Sequence, residues 1–277
     1  MSDGYKVEVI EDSISHDRVR LTTLKLRYPR FVHSEFMTHR VFSRNASSSR
    51  AIPVIRMLRQ VWADPAIPVY WGKNQPGMQA RVEIGSVAKG VSKFLWKTAG
   101  KFACVFAWTL MKLGNHKQVA NRILEPWQFI EVVVTATDWS NFFELRCHAD
   151  ADPSIQKLAV MIKSAMHKSV PVPVRHGDWH LPFVSEYECM TESVAVCRKL
   201  STARAARTSY MNHDGSLPNK VKDIKLHDAL VISEPMHASP SEHQATPDRM
   251  VDGQWEYPHL HGNLRGWIQY RKILEQE

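Results

Sequence analysis

Thirteen consecutive residues, Thr38-His39-Arg40-Val41-Phe42-Ser43-Arg44-Asn45-Ala46-Ser47-Ser48-Ser49-Arg50, hold three arginines, a histidine, an asparagine and four serines. Arginine presents a planar fork of N–H donors that matches phosphate oxygens two at a time. Serine and asparagine add short donors on a backbone that can approach a ligand closely. Together they suit a nucleotide pocket; a solvated basic loop is the competing reading. No Gly-x-Ser-x-Gly elbow surrounds Ser48, so its hydroxyl is read as a binding group and not as a nucleophile. His237 and His243 stand six apart, with His227, His259 and His261 nearby. Zinc is the rival reading there, but no cysteine completes a ligand set and the spacing is not that of a finger. No metal is expected.

Four segments resemble the flavin-dependent thymidylate synthases. His39-Arg40, seven residues and Ser48 resemble that family's Arg-His-Arg signature, with Thr38 in place of the first arginine. Ala205-Ala206-Arg207-Thr208-Ser209 is similar to an Ala-Ala-Arg-Val-Ser segment at the flavin site. His237-Ala238-Ser239-Pro240-Ser241-Glu242-His243 is similar to a second flavin segment. The fourth likeness runs from Asn121-Arg122-Ile123-Leu124-Glu125-Pro126 to Asn141-Phe142-Phe143-Glu144-Leu145-Arg146. The matched stretches reach from about Val19 to His243. In the usual family order the two flavin segments come first, whereas here they follow Ser48. The chain therefore resembles a circular permutation, which a fold with neighbouring surface termini tolerates. Residues 53–115 have no counterpart and are read as an insert in one domain over 1–277.

The resemblance implies an α+β fold, with helices around a modest, mostly antiparallel sheet. It implies transfer of a one-carbon unit from methylenetetrahydrofolate to carbon-5 of dUMP, with FAD as hydride carrier and NADPH as reductant. It implies a homotetramer with shared active sites. Carried over position by position, the flavin residues are His39, Arg40, Asn45, Asn141, Ser209, His237 and Ser239. The nucleotide residues are Glu35, Ser48, Ser49, Arg50, Arg122 and Arg146. Ser48 and Arg122 are placed nearest the chemistry, Arg122 as a positive charge that would stabilise an enolate developing on the pyrimidine. Thr38, and Ala46 where glutamate is common, depart from the family pattern beside the nucleotide. They leave open dCMP as substrate and hydroxymethyl as the transferred group. A non-catalytic nucleotide- or nucleic-acid-binding protein is the alternative from a different class.

These residues need elements to carry them. Residues 18–28 alternate as a strand, with a parity slip near Thr23 that suggests a bulge. A helix over 31–42 would hold His39 and Arg40 near its end, followed by a serine-rich loop. Residues 64–78 read as loop. Residues 79–112 read as a helix broken near Gly100, with aromatic residues suited to an interface and Lys89, Lys93, Lys97 and Lys101 in one stripe. That stripe is read as a solvated face. Residues 128–136 are strand-like, and a helix from about Thr137 carries Asn141 and Arg146. Asp152-Pro153 marks a helix start. Further helices are expected at 191–207 and 218–233.

Composition bounds the rest. The chain has 277 residues, 44% hydrophobic and 23% charged, ordinary for a globular protein. Its formal net charge of +8 favours anionic partners such as nucleotides and polyglutamylated folates. Zinc-finger spacing and aromatic-basic RNA motifs are absent, so nucleic acid is a weaker expectation. The four cysteines are far apart in sequence, which fits a reducing cytoplasm. No membrane span is expected.

Overall fold

The computed structural model describes residues 4–211 and 216–276. Its central sheet has five strands: β1 (Lys6–Ile14), β2 (Arg20–Pro29), β3 (Ser43–Ala46), β4 (Phe129–Ala136) and β5 (Val172–Pro173), in the order β3-β4-β2-β1-β5. All neighbours are antiparallel except β1 and β5. The bulge expected in β2 near Thr23 lies on β1 instead, and the parity change in β2 arises because Leu21 and Thr23 face the side opposite to Leu24, Leu26 and Tyr28. The β1–β2 register jumps between Val9↔Leu24 and Glu11↔Thr23, so the unopposed residue is Ile10 on β1. Part of the serine-rich stretch is an edge strand, since Ser43–Ala46 pairs with β4.

The helices are α1 (His33–Phe36), α2 (Val54–Ala63), α3 (Ser86–Lys112), α4 (Lys117–Ala120), α5 (Ser140–Arg146), α6 (Pro153–Lys168), α7 (Glu186–Thr191), α8 (Val194–Ala206), α9 (Lys220–Ile232) and α10 (Tyr270–Leu274). Short strands β6 (Ala245–Pro247), β7 (Met250–Val251), β8 (Gln254–Trp255) and β9 (Trp267–Gln269) form two small ribbons. The expected helix over 31–42 is only a 3-10 turn and the four-residue α1, so His39 follows the helix. Helix α3 runs unbroken through Gly100. The glycine is there for packing: a Cβ on it would lie 2.9 Å from Cδ1 of Trp127.

Strand alternation divides the sheet into two faces. Leu24, Leu26, Tyr28, Val132 and Val134 face α6, whose Ile155, Leu158, Ala159 and Ile162 are fully buried against them. Each large aliphatic side chain so buried contributes roughly 2 kcal/mol. Helix α6 starts where expected: Asp152 accepts from the N–H groups of Ser154 (2.8 Å) and Ile155 (3.4 Å), which helix geometry leaves without partners. The other face begins with buried Leu21 under Ala245, Leu264 and Trp267. It continues through Thr23, Thr135 and Ser43, then opens at Lys25, Arg27, Glu131 and Asn45. A second apolar cluster joins α2 (Met57, Val61), α3 (Ala103, Cys104, Ala107) and Leu124.

Candidate active site

The open half of that second face is the floor of a cleft of about 720 Å³, within the range of small-molecule sites. Lys25 and Arg27 come from β2, Asn45 from β3, and Phe129 and Glu131 from β4. Ser48 and Arg50 follow β3 on the loop, and Arg56, Met57 and Gln60 come from α2. The far wall is built by Arg207, Thr208 and Ser209 after α8 and by His237 and Ser239.

The lining carries five cationic side chains, Lys25, Arg27, Arg50, Arg56 and Arg207, against one carboxylate, Glu131. Some of the charge is matched. Lys25 Nζ lies 3.5 Å from Glu131, Arg27 lies 3.4 Å from Asp64, and Arg207 donates to Asp223 at 2.5 Å. Arg27 also covers the Phe129 ring at 4.0 Å. Arg50 is exposed at the cleft, and its backbone N–H donates to Ser48 Oγ (3.3 Å). Ser49 is buried beside it; its carbonyl accepts from Asn121 Nδ2 at 2.7 Å, and the same amide reaches the Ile52 carbonyl at 3.0 Å. Asn121 thus holds the loop that presents Ser48 and Arg50.

A second group forms at the other end of β3. Arg146 Nε donates to His39 Nε2 (3.0 Å), and its terminal nitrogens reach the Glu35 carboxylate and carbonyl (3.4 Å each) and Thr38 Oγ1 (3.2 Å). His39 packs edge-on to Phe142 at 4.9 Å and is 6% exposed. Burial lowers the His39 pKa, and the Arg146 and Arg44 guanidiniums lower it further. The ring is therefore neutral, with Nε2 accepting and the proton on Nδ1. Burial raises the Glu35 pKa, with Arg146 opposing.

The sequence candidates divide accordingly. Asn45, Ser48, Arg50, Ser209, His237 and Ser239 share the cleft. Glu35, His39 and Arg146 make the second group. Arg40 and Asn141 are exposed outside the cleft lining, and Arg122 is exposed and bonded to Glu125 at 3.2 Å. Lys25, Arg27, Arg56 and Arg207 are cleft residues that the sequence reading missed. The first two had a signal: charged residues at alternate positions among Leu24, Leu26 and Tyr28 must face opposite to the core.

The family model described as thymidylate synthase complementing protein matches residues 19–172, more than half of the chain. The chain belongs to this family. The match contains both ends of β3 and the Asn121 and Arg146 segments, whereas the Arg207–Ser209 and His237–Ser239 walls lie beyond it. Among solved structures, the chain is similar to a UMP/dUMP methylase, PolB from Streptomyces cacaoi, with 5-bromo-UMP bound. The TM-score is 0.49 at 17% identity, covering 59% of this chain and 89% of that one. The same methylase with 5-bromo-dUMP gives 0.47 at 17% identity, covering 59% and 90%. No curated protein matches the chain in sequence. Among the described residues, no group of three or more histidine, cysteine or acidic side chains is arranged to hold a metal. No helix is long and apolar enough to cross a membrane.

Proposed function

We propose that the chain transfers a one-carbon unit from methylenetetrahydrofolate to carbon-5 of dUMP, giving dTMP, with FAD and NADPH. The observation that carries this reading is the cleft. It joins Asn45, Ser48 and Arg50 of the signature segment to Ser209, His237 and Ser239, which follow more than 150 positions later. That convergence supports the circularly permuted order.

The excess of cationic groups over carboxylates in the lining fits a phosphate-bearing ligand, whether dUMP or FAD. Arg50 and Ser48 would hold the nucleotide phosphate. Ser209, His237 and Ser239 form the wall against which the flavin would rest. When bound, FAD supplies the hydride chemistry that no protein side chain can. The protein's own work is to bind, orient and exclude water. Neutral His39 stays an acceptor because Arg146 donates to it, and Arg146 in turn holds Glu35 and Thr38.

The two groups are separated by β3, four residues or about 13 Å at roughly 3.3 Å per residue. This separation supports a shared site, in which the Glu35–Arg146 group of one copy completes the cleft of another within a homotetramer. The outer side of α3, with Phe94, Leu95, Phe102 and Phe106 at 59–67% exposure, offers apolar surface for such assembly.

The deciding experiment incubates the purified protein anaerobically with FAD, NADPH, methylenetetrahydrofolate and a mixture of dUMP and dCMP. Mass spectrometry of the products follows. A methylated dUMP is expected. A hydroxymethyl or dCMP product would keep the site and change the reaction. A colourless protein without product, but with salt-sensitive DNA binding, would overturn the reading in favour of a binding protein.

A further inference from the structure

The side chain of Asn45 makes contacts that leave it little to offer a ligand. Its Nδ2 donates to the carbonyls of Ala205 (2.7 Å) and Ala206 (3.1 Å), and its Oδ1 accepts from Ser239 Oγ (3.2 Å). An amide has two N–H donors and a carbonyl oxygen with two lone pairs, so both donors and one of the two acceptor positions are engaged. The partners come from three separate pieces of chain: β3, the last turn of α8 and the turn at Ser239.

What this holds in place is an unusual helix end. The N–H of Thr208 bonds to the Ala205 carbonyl (2.9 Å), and that of Ser209 reaches back to Arg204 (3.2 Å). This is the paired closure of a Schellman turn, whose left-handed position normally belongs to glycine. Here Thr208 occupies it at φ +57°. A β-branched residue there is strained, and such a conformation persists only where its surroundings over-determine it. The two bonds from Asn45 fall on the carbonyls of this same turn, next to Thr208 and Ser209 on the cleft wall.

We infer that Asn45 is a positioning residue, a latch that ties the α8 end and the Ser239 turn to the sheet, and that it shapes the flavin side of the cleft without touching the ligand. The ligand part of this inference rests on the function proposed above; the latch itself does not.

The test uses the full chain with Asn45→Ala, Asn45→Asp, Ser239→Ala and the Asn45→Ala/Ser239→Ala pair. Amide hydrogen exchange over residues 205–211, without ligand, reads the latch directly. Exchange at least about tenfold faster in Asn45→Ala than in wild type is expected, since local opening governs these amides. FAD affinity, by fluorescence, reads the consequence. Asn45→Asp keeps the acceptor for Ser239 but sets a carboxylate against two carbonyl oxygens, so it should bind FAD at least as weakly as Asn45→Ala, about tenfold below wild type. Because Ser239 also lines the flavin wall, its part in the latch is read by exchange: Ser239→Ala should speed exchange over 205–211 several-fold alone and add nothing in the Asn45→Ala background. Unchanged exchange in Asn45→Ala, or fully additive exchange effects in the pair, overturns the latch. An Asn45→Asp protein that binds FAD normally points to direct contact through Oδ1 and overturns it also. If wild type binds no FAD, the functional reading fails while the exchange result still decides the latch.

Discussion

At the residue scale the cleft separates cations held by the fold from cations offered to a ligand. Arg207 is anchored by Asp223, which is fully buried and also pairs with Arg204 at 3.0 Å. Arg204 in turn holds Glu188 well down, to about 2, through direct hydrogen bonds. Arg207 is therefore part of the scaffold that ties α7, α8 and α9 behind the wall. Arg50 stands exposed beside Ser48, so removing it should cost binding without costing the fold. Arg50→Ala is expected to weaken dUMP binding by roughly 10- to 100-fold, the worth of a charge-assisted pair, with melting unchanged; titration calorimetry checks it. Equal dUMP affinity in wild type and variant would remove Arg50 from the phosphate site. Thr208→Gly should raise stability by about 1 kcal/mol by relieving the left-handed strain, measurable in a urea melt.

At the element scale α3 is the least ordinary part of the molecule. One side is buried through small residues, Gly100, Ala103, Cys104 and Ala107, which let α2 and Trp127 come close. Gly100→Ala would place a methyl group into Trp127. It is expected to destabilise by about 1–3 kcal/mol, the usual cost of overpacking, despite the better helix propensity of alanine. The opposite side exposes Val87, Val91, Phe94, Leu95, Phe102, Val105 and Phe106. Lys93, Lys97 and Lys101 border it. Lys101 also rests over Trp62 at 5.4 Å, and Lys89 pairs with Glu83 at 2.6 Å, so the lysine stripe is only partly the solvated face expected. A Phe94→Glu/Phe102→Glu variant should sediment as a smaller species than wild type at equal concentration. Identical sedimentation would exclude this face from the proposed homotetramer.

At the scale of the whole molecule a buried polar belt crosses between sheet and C-terminal segment. Ser13 Oγ meets His180 Nδ1 (2.8 Å), and His180 Nε2 meets Thr23 (2.7 Å). Thr23 meets Thr135 (2.6 Å), and Thr135 meets His243 Nδ1 (2.8 Å). Burial pushes both histidines down to about 3. Unfolded histidine titrates near 6.5, so the unfolded chain binds more protons between those values. Stability contributed by each ring is thus complete above about pH 6.5 and is lost as pH falls toward 3, by about 1.4 kcal/mol per pH unit. Glu11, raised to about 7 by burial and Asp12, acts oppositely between its ordinary value and 7. His243→Gln should therefore flatten the pH dependence of urea unfolding between pH 4 and 6 by one proton. A slope equal to wild type would contradict this assignment. A shared site makes a separate forecast. Mixed Arg50→Ala and Arg146→Ala proteins, each strongly impaired alone at subsaturating dUMP, should regain a fraction of wild-type activity after subunit exchange.

Much of this was legible in the sequence, because the signals were local. The Asp152-Pro153 cap, the β2 alternation and the β-branched run of β4 each depend on residues within one or two turns of each other, and each stands where its pattern put it. The boundaries that moved were those where tertiary contact overrides local preference. The 31–42 helix stops after α1 because Thr38–Phe42 turn to bury His39 and Phe42 around Phe142. Ser43–Ala46 becomes a strand because β4 offers it an open edge. Gly100 stays helical because Trp127 fills the space its missing side chain leaves. The cleft itself was only half readable. Residue types proposed a phosphate site, but sequence spacing carries no information about which distant segments meet. That Ser209 and His237 face Ser48, while Arg146 turns away to His39, follows from sheet order and from the Asn45 and Arg204–Asp223 contacts, which exist only once the chain has folded.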